Sequence, residues 1–193
     1  MIVNLQKGRW MGVFILLWGT LNARFILLND SENVNFDLVV ISNDSLFPYF
    51  NNFKELKWMT GISTEIFTTS WIYKNVDGQD KQEKIRNFIK YVYETFNSKY
   101  ILLGGDVGII PTRILYVPIS GTPDDFIPSD FYYMCLDGTF NADRDTLFGE
   151  FSDSVDFIPE VSVARLPVNY PQDVENYIKK MARIYVTTVK LSK

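Results

Sequence analysis

Residues 137–150, Asp-Gly-Thr-Phe-Asn-Ala-Asp-Arg-Asp-Thr-Leu-Phe-Gly-Glu, concentrate oxygen ligands at a spacing suited to a divalent cation. Asn141, Asp143 and Asp145 alternate with other residues, so a looped backbone turns three side-chain oxygens to one side. Leu147 can add a backbone carbonyl, Glu150 a later carboxylate, and Asp137 a fifth side chain. Hard oxygen donors at this density suit calcium, which takes six to eight of them at roughly 2.3–2.6 Å. The loop is not an EF-hand, because Thr146 stands where that motif needs glycine and Ser152 where it needs glutamate. The competing reading is a polar surface loop whose Asp and Asn side chains make turns. Asp124 and Asp125, between Pro123 and Pro128, are further candidates for the same ion.

Other residue types narrow the chemistry more by exclusion. The chain has no histidine, the usual general base near neutral pH and the commonest metal ligand. Ser-His-Asp and Cys-His catalysis are therefore beyond this polypeptide alone, as are nearly all catalytic zinc arrangements. Cys135 lies in an aromatic, strand-like run at 131–136 with no imidazole to activate it, and reads as a buried structural thiol. Gly-Gly-Asp-Val-Gly at 104–108 lacks the Lys-Ser/Thr of a phosphate loop, and Pro111 discourages the helix a dinucleotide site needs. There the glycines are expected to allow a tight turn, with Asp106 accepting backbone hydrogen bonds or contacting a cation. Asp153, Asp156 and Glu160 offer carboxylates for a glycosidase-type pair, with aromatics nearby for stacking on sugars.

The elements that would position these groups alternate between strand and helix. Residues 37–42 and 100–103 are short continuous apolar runs, as strands buried on both faces should be, and 63–68 and 161–168 read as two more. Residues 46–59 carry Phe50, Phe53, Leu56 and Met59 at helical spacing, with Ser45 as the expected cap and Gly61 as the stop. Residues 80–96 form the clearest helix, with Ile85, Phe88, Ile89, Val92 and Phe96 on one stripe. A last helix opens at Pro171 and presents Val174, Ile178, Met181 and Tyr185. The expected fold class is α/β: a mostly parallel, doubly wound sheet, flavodoxin-like, with helices on both faces. Sites in such sheets gather beyond the carboxyl ends of the strands, here the loops at 42–45 and 104–108.

Composition sets the outer bounds. With 193 residues, 47% of them apolar, the chain can bury one core and an appendage. A net charge of −4 and a pI of about 4.9 argue against a nucleic-acid partner, and the basic residues at 81–90 read as a solvated helix face. One cysteine excludes an internal disulfide. Residues 1–29 begin with Lys7 and Arg9, continue through an apolar run to Leu21 and reach the small Ala23, a pattern like an export signal. Residues 30–36 read as a linker, 37–185 as the α/β domain and 186–193 as a tail.

Several segments together resemble the gingipain family of cysteine peptidases, whose fold is caspase-like. They are Phe-Asp-Leu-Val-Val-Ile at 36–41 and Leu-Lys-Trp-Met-Thr-Gly-Ile-Ser-Thr-Glu at 56–65. Next come Tyr-Ile-Leu-Leu-Gly-Gly-Asp-Val-Gly-Ile-Ile-Pro-Thr-Arg at 100–113, Ser-Asp-Phe-Tyr-Tyr at 129–133 and Leu-Asp-Gly at 136–138. The last is Pro-Glu-Val-Ser-Val-Ala-Arg-Leu-Pro-Val at 159–168. The resemblance implies the first of two caspase-like subdomains, with the catalytic His and Cys in the second, beyond the helix ending near Tyr185. No catalytic residue carries over, since Cys135 does not match the nucleophile's position. Residues 186–193 depart from the family pattern, as a truncated or frameshifted gene would. The implied partner is the missing catalytic subdomain or a second chain, and a polypeptide becomes a substrate only once that half is supplied. Membership also implies export and calcium for stability. The alternative is a non-catalytic binding or scaffolding module of a cell-surface or secretion system.

Overall fold

The computed structural model describes residues 15–16, 25–26, 35–116, 126–155 and 157–191, and divides into a unit over 1–34 and one over 35–193. In the first unit β1 (Ile15–Leu16) pairs antiparallel with β2 (Phe25–Ile26). Most of the signal-like segment lies outside the described residues, as do Asp124, Asp125 and Asp156.

The larger unit is built on four strands: β3 (Leu38–Ser42), β4 (Thr64–Thr68), β5 (Tyr100–Gly104) and β8 (Ser162–Leu166). All three pairings are parallel, in the order β4-β3-β5-β8. Val39, Val40 and Ile41 are fully buried, which explains the unbroken apolar run: the strand is covered on both faces. On one face Val40, Ile66 and Leu102 pack with Phe50 and Phe53 of α1 (Phe47–Met59) and Val174 of α4 (Pro171–Leu191). On the other, Phe67 meets Phe88 of α3 (Lys81–Phe96) edge-on at 4.8 Å, and Trp71 of the short α2 (Thr69–Asn75) joins them. The doubly wound arrangement expected from the sequence is thus present. Among the described residues no helix is long and apolar enough to cross a membrane.

Helix ends follow side-chain chemistry, with one correction. Asn43, not Ser45, prepares the start of α1: its Oδ1 accepts the Leu46 N–H at 2.9 Å and the Ser45 hydroxyl at 3.0 Å. Gly61, at φ +81°, follows the helix where a left-handed residue is needed. Asp80 caps α3, accepting the Glu83 N–H at 2.8 Å, and Glu83 reaches back to the Gln79 N–H at 2.6 Å. Helix α4 runs on to Leu191, past the expected end at 185.

Two regions depart from the sequence reading. An antiparallel pair, β6 (Arg113–Tyr116) with β7 (Phe126–Ser129), stands apart from the parallel sheet. The aromatic run at 131–136 is not a strand: Phe131–Tyr133 is a single 3-10 turn, started by the Ser129 hydroxyl accepting the Phe131 N–H at 3.1 Å. Tyr132 and Tyr133 turn inward from it, and Cys135 is fully buried behind them.

Candidate functional site

The loops beyond the carboxyl ends of β5 and β8 are held by one arginine. Arg165 donates to Asp130 through Nε (2.7 Å) and Nη2 (2.6 Å), and its Nη1 donates to the carbonyls of Gly105 (2.9 Å) and Ile110 (2.8 Å). A guanidinium suits this post because its planar fork meets a carboxylate with two bonds and still has donors left. Gly104 and Gly105 are small for packing reasons: a Cβ on Gly104 would stand 2.5 Å from the Phe50 ring, and one on Gly105 2.5 Å from Ile109. The tight turn expected of this segment follows at 106–110, where the Asp106 carbonyl accepts the N–H groups of Ile109 (3.1 Å) and Ile110 (2.9 Å). Asp106 does accept backbone hydrogen bonds, from Gly108 at 2.9 Å. Asn169, that Gly108 N–H and nearby Arg165 hold its carboxyl below the usual range.

Beside this lies a cleft of about 520 Å³ between the start of α3 and the loop 139–148. Arg113 is bound by both ends of its fork to Asp80, at 2.8 Å each. Phe148 and Tyr132 lie against the guanidinium, with ring centres 4.1 and 4.7 Å away. Arg86, on the buried side of α3, donates through Nε to the Cys135 carbonyl (2.8 Å) and through Nη2 to that of Asp137 (2.8 Å). Burial pushes the Asp80 carboxyl up, but the Arg113 bonds and charge and the Glu83 N–H outweigh it and leave it below the ordinary value. A depressed folded pKa means that the contribution to stability is present above the unfolded pKa, about 4, and is lost as pH falls through the folded value. Chemical denaturation between pH 2 and 6 is expected to show a shallower acid limb in Asp80→Asn than in wild type. Parallel limbs would remove Asp80 from the acid transition.

The acidic loop brings together part of the predicted set. Oxygens of Asp143, Asp145 and Glu150 lie within 4.8 Å of one another. Asn141 is adjacent, its Nδ2 donating to the Asp145 carbonyl at 3.0 Å, while its Oδ1 is buried with no hydrogen-bond partner among the described residues. Asp137 is not in the cluster; its side chain is exposed and its carbonyl serves Arg86. Turn bonds are present too, with Leu147 N–H donating to Asp145 at 2.6 Å and Asp145 N–H to Asp143 at 3.3 Å. Three clustered carboxylates are the hard oxygen donors a calcium ion would need, with the Asn141 amide beside them.

The organising residue of this loop is Asp153, which is only 2% exposed. Its carboxylate accepts the N–H groups of Ala142 (2.6 Å), Gly149 (2.8 Å) and Glu150 (3.2 Å). Glu160 likewise accepts the Leu136 N–H. These two carboxylates tie loops together, so the glycosidase-type reading has no supporting geometry among the described residues. Sequence reasoning missed Arg86, Arg113 and Arg165 as organisers. The available signal was a lone arginine inside an apolar stripe or strand, where a charge needs a partner.

The profile of Peptidase family C25 matches residues 31–190. The fold is similar to that of dimeric latent PorU from Porphyromonas gingivalis, with a TM-score of 0.58 and 18% identity over 76% of this chain and 15% of that one. It is also similar to the complex of RgpB pro- and mature domains from the same organism (TM-score 0.51, 24% identity, 74% and 27% coverage). A third likeness is to the Arg-specific cysteine proteinase gingipain R (0.51, 22%, 78% and 28%). At these identities the likeness is one of fold, and this chain spans 15% to 28% of those chains. No curated protein matches it by sequence.

Proposed function

This chain belongs to peptidase family C25, and from that membership we propose that it is the first, non-catalytic caspase-like subdomain of a gingipain-like cysteine peptidase. The observation that carries the reading is the match over 31–190 in a chain that contains no histidine and whose one cysteine is fully buried. A thiol in that setting has neither an imidazole to take its proton nor access to a peptide carbonyl. The subdomain's part is to hold the sheet to which a catalytic half, from the same gene or a second chain, adds. β8 is the last strand of the four, and Phe151 (93% exposed) and Ile158 (66%) precede it. β8 is also an edge of the sheet and only partly covered, and such an edge suits a partner that completes the sheet.

Calcium held by Asn141, Asp143, Asp145 and Glu150 fits the same reading as a stabiliser of the loop 139–150. The apolar start with Lys7 and Arg9 fits export. The coding sequence downstream of codon 193, read in all three frames, tests the proposal. It is expected to encode a histidine and, later, a cysteine, each following an apolar strand. Neither residue in any frame, and none in a neighbouring gene of the same family, would overturn it.

A further inference from the structure

We propose that the cleft between the start of α3 and the loop 139–148 is a carboxylate-binding site, suited to the acidic side chain of a peptide. The claim begins with charge. Arg86 is 8% exposed, yet its hydrogen bonds go to neutral carbonyls: Cys135, Asp137 and, at 3.4 Å, Gly138. The rings of Tyr132 and Phe140 lie 5.3 Å from its guanidinium carbon. Among the described residues no carboxylate forms an ion pair with it. A buried cation without a counter-ion is costly, and a ligand anion relieves that cost.

Arg113 adds a directional signal. It is 6% exposed, its two terminal nitrogens are committed to Asp80, and its buried Nε makes no well-formed hydrogen bond among the described residues, although the Tyr132 hydroxyl interacts with the guanidinium. Both arginines line the same cleft, beside the N-terminal turn of α3, whose dipole also favours negative charge. The carboxylates nearest by have other duties. Asp80 is held by Arg113, and Glu83 accepts the Gln79 N–H. Asp145 and Arg144 also line the cleft, both are exposed, and their charges offset. Phe140, Phe148 and Tyr132 supply apolar walls, which strengthen charge-assisted bonds by excluding water. A carboxylate seated at Arg113 Nε beside the Arg86 guanidinium would meet the one unmet donor and give Arg86 a counter-ion, and about 520 Å³ holds a Glu side chain with its flanking peptide groups.

This inference does not rest on the peptidase reading, and working in chelator separates it from the calcium proposal. The test uses the full chain, with the arginine Nε–H resonances followed by NMR. The probes are acetyl-Gly-Glu-Gly-amide, the matching Gln peptide, and acetate. The Glu peptide is expected to shift the Arg113 and Arg86 signals saturably, with at least tenfold tighter binding than the Gln peptide. Acetate binding as tightly as the Glu peptide would assign the site to free small carboxylates; weaker acetate binding would assign it to peptides. Equal binding of the Glu and Gln peptides, or no shift with any probe, overturns the proposal.

Discussion

Arg165→Met is expected to destabilise the protein by roughly 2–4 kcal/mol, because removing one partner of a partly buried ion pair leaves the other charge and its neighbours unsatisfied. At this chain length that is a fall in melting temperature on the order of 10 °C. Methionine keeps most of the side-chain volume, so the loss reports the polar contacts rather than a cavity. Three dependants lose their donor together: Asp130 and the carbonyls of Gly105 and Ile110. Arg165→Lys should fall between the two, since an ammonium keeps the charge but cannot fork to Asp130 while reaching both carbonyls. Urea unfolding of the three proteins measures it. A loss under about 1 kcal/mol for the methionine variant would show that Asp130 and those carbonyls find water instead. The same contacts explain why the segments at 104–113, 129–133 and 159–168 occur together in one sequence: one guanidinium joins all three.

Calcium is expected to raise the melting temperature by a comparable amount. At a hundredfold excess over Kd, binding to the folded form alone contributes about 2.7 kcal/mol, or roughly 5–10 °C here. Oxygens of three carboxylates lie within 4.8 Å of one another, and although water screens the exposed Asp143 and Asp145, a cation among them would remove the remaining repulsion. Asp143→Asn and Asp145→Asn should each remove most of the calcium effect while leaving the chelator baseline unchanged or raised, because each relieves the repulsion. Asp137→Asn should leave the calcium effect intact, since that side chain lies outside the cluster. Equal melting of wild type in calcium and in chelator would reduce 139–150 to a turn-rich loop held by Asp153.

The central strands β3 and β5 were legible because burial on both faces favours apolar residues, and Val39, Val40 and Ile41 are at zero exposure, whereas the edge strands β4 and β8 carry Glu65 and Arg165. Helix α3 was legible because five stripe residues and a capping Asp agree on one register. The β6–β7 pair was hidden: its strands are four residues each, Phe126, Ile127 and Pro128 are exposed, and β6 alternates in burial with the charged Arg113 on its inner face, so residue type concealed the alternation. The aromatic run at 131–136 misled because β propensity rewards aromatics, whereas the Ser129 hydroxyl accepting the Phe131 N–H starts a turn in front of it. Local spacing placed Asp143, Asp145 and Glu150 near one another, as a short loop can. It could not place the partners of Arg86, Arg113 and Arg165, which stand 49, 33 and 35 residues away. Composition alone excluded an unaided Cys-His peptidase, since no arrangement of this chain supplies an imidazole.

The measurement that bears most directly on the central claim is peptide turnover by the purified chain. It would be run with a broad fluorogenic peptide library, with reductant, in calcium and in chelator, beside Cys135→Ala. The expected result is no turnover above buffer in any condition and no difference between the two proteins, because Cys135 is fully buried and the chain holds no histidine. Turnover by wild type that Cys135→Ala abolishes would contradict the assignment of this chain as a non-catalytic subdomain.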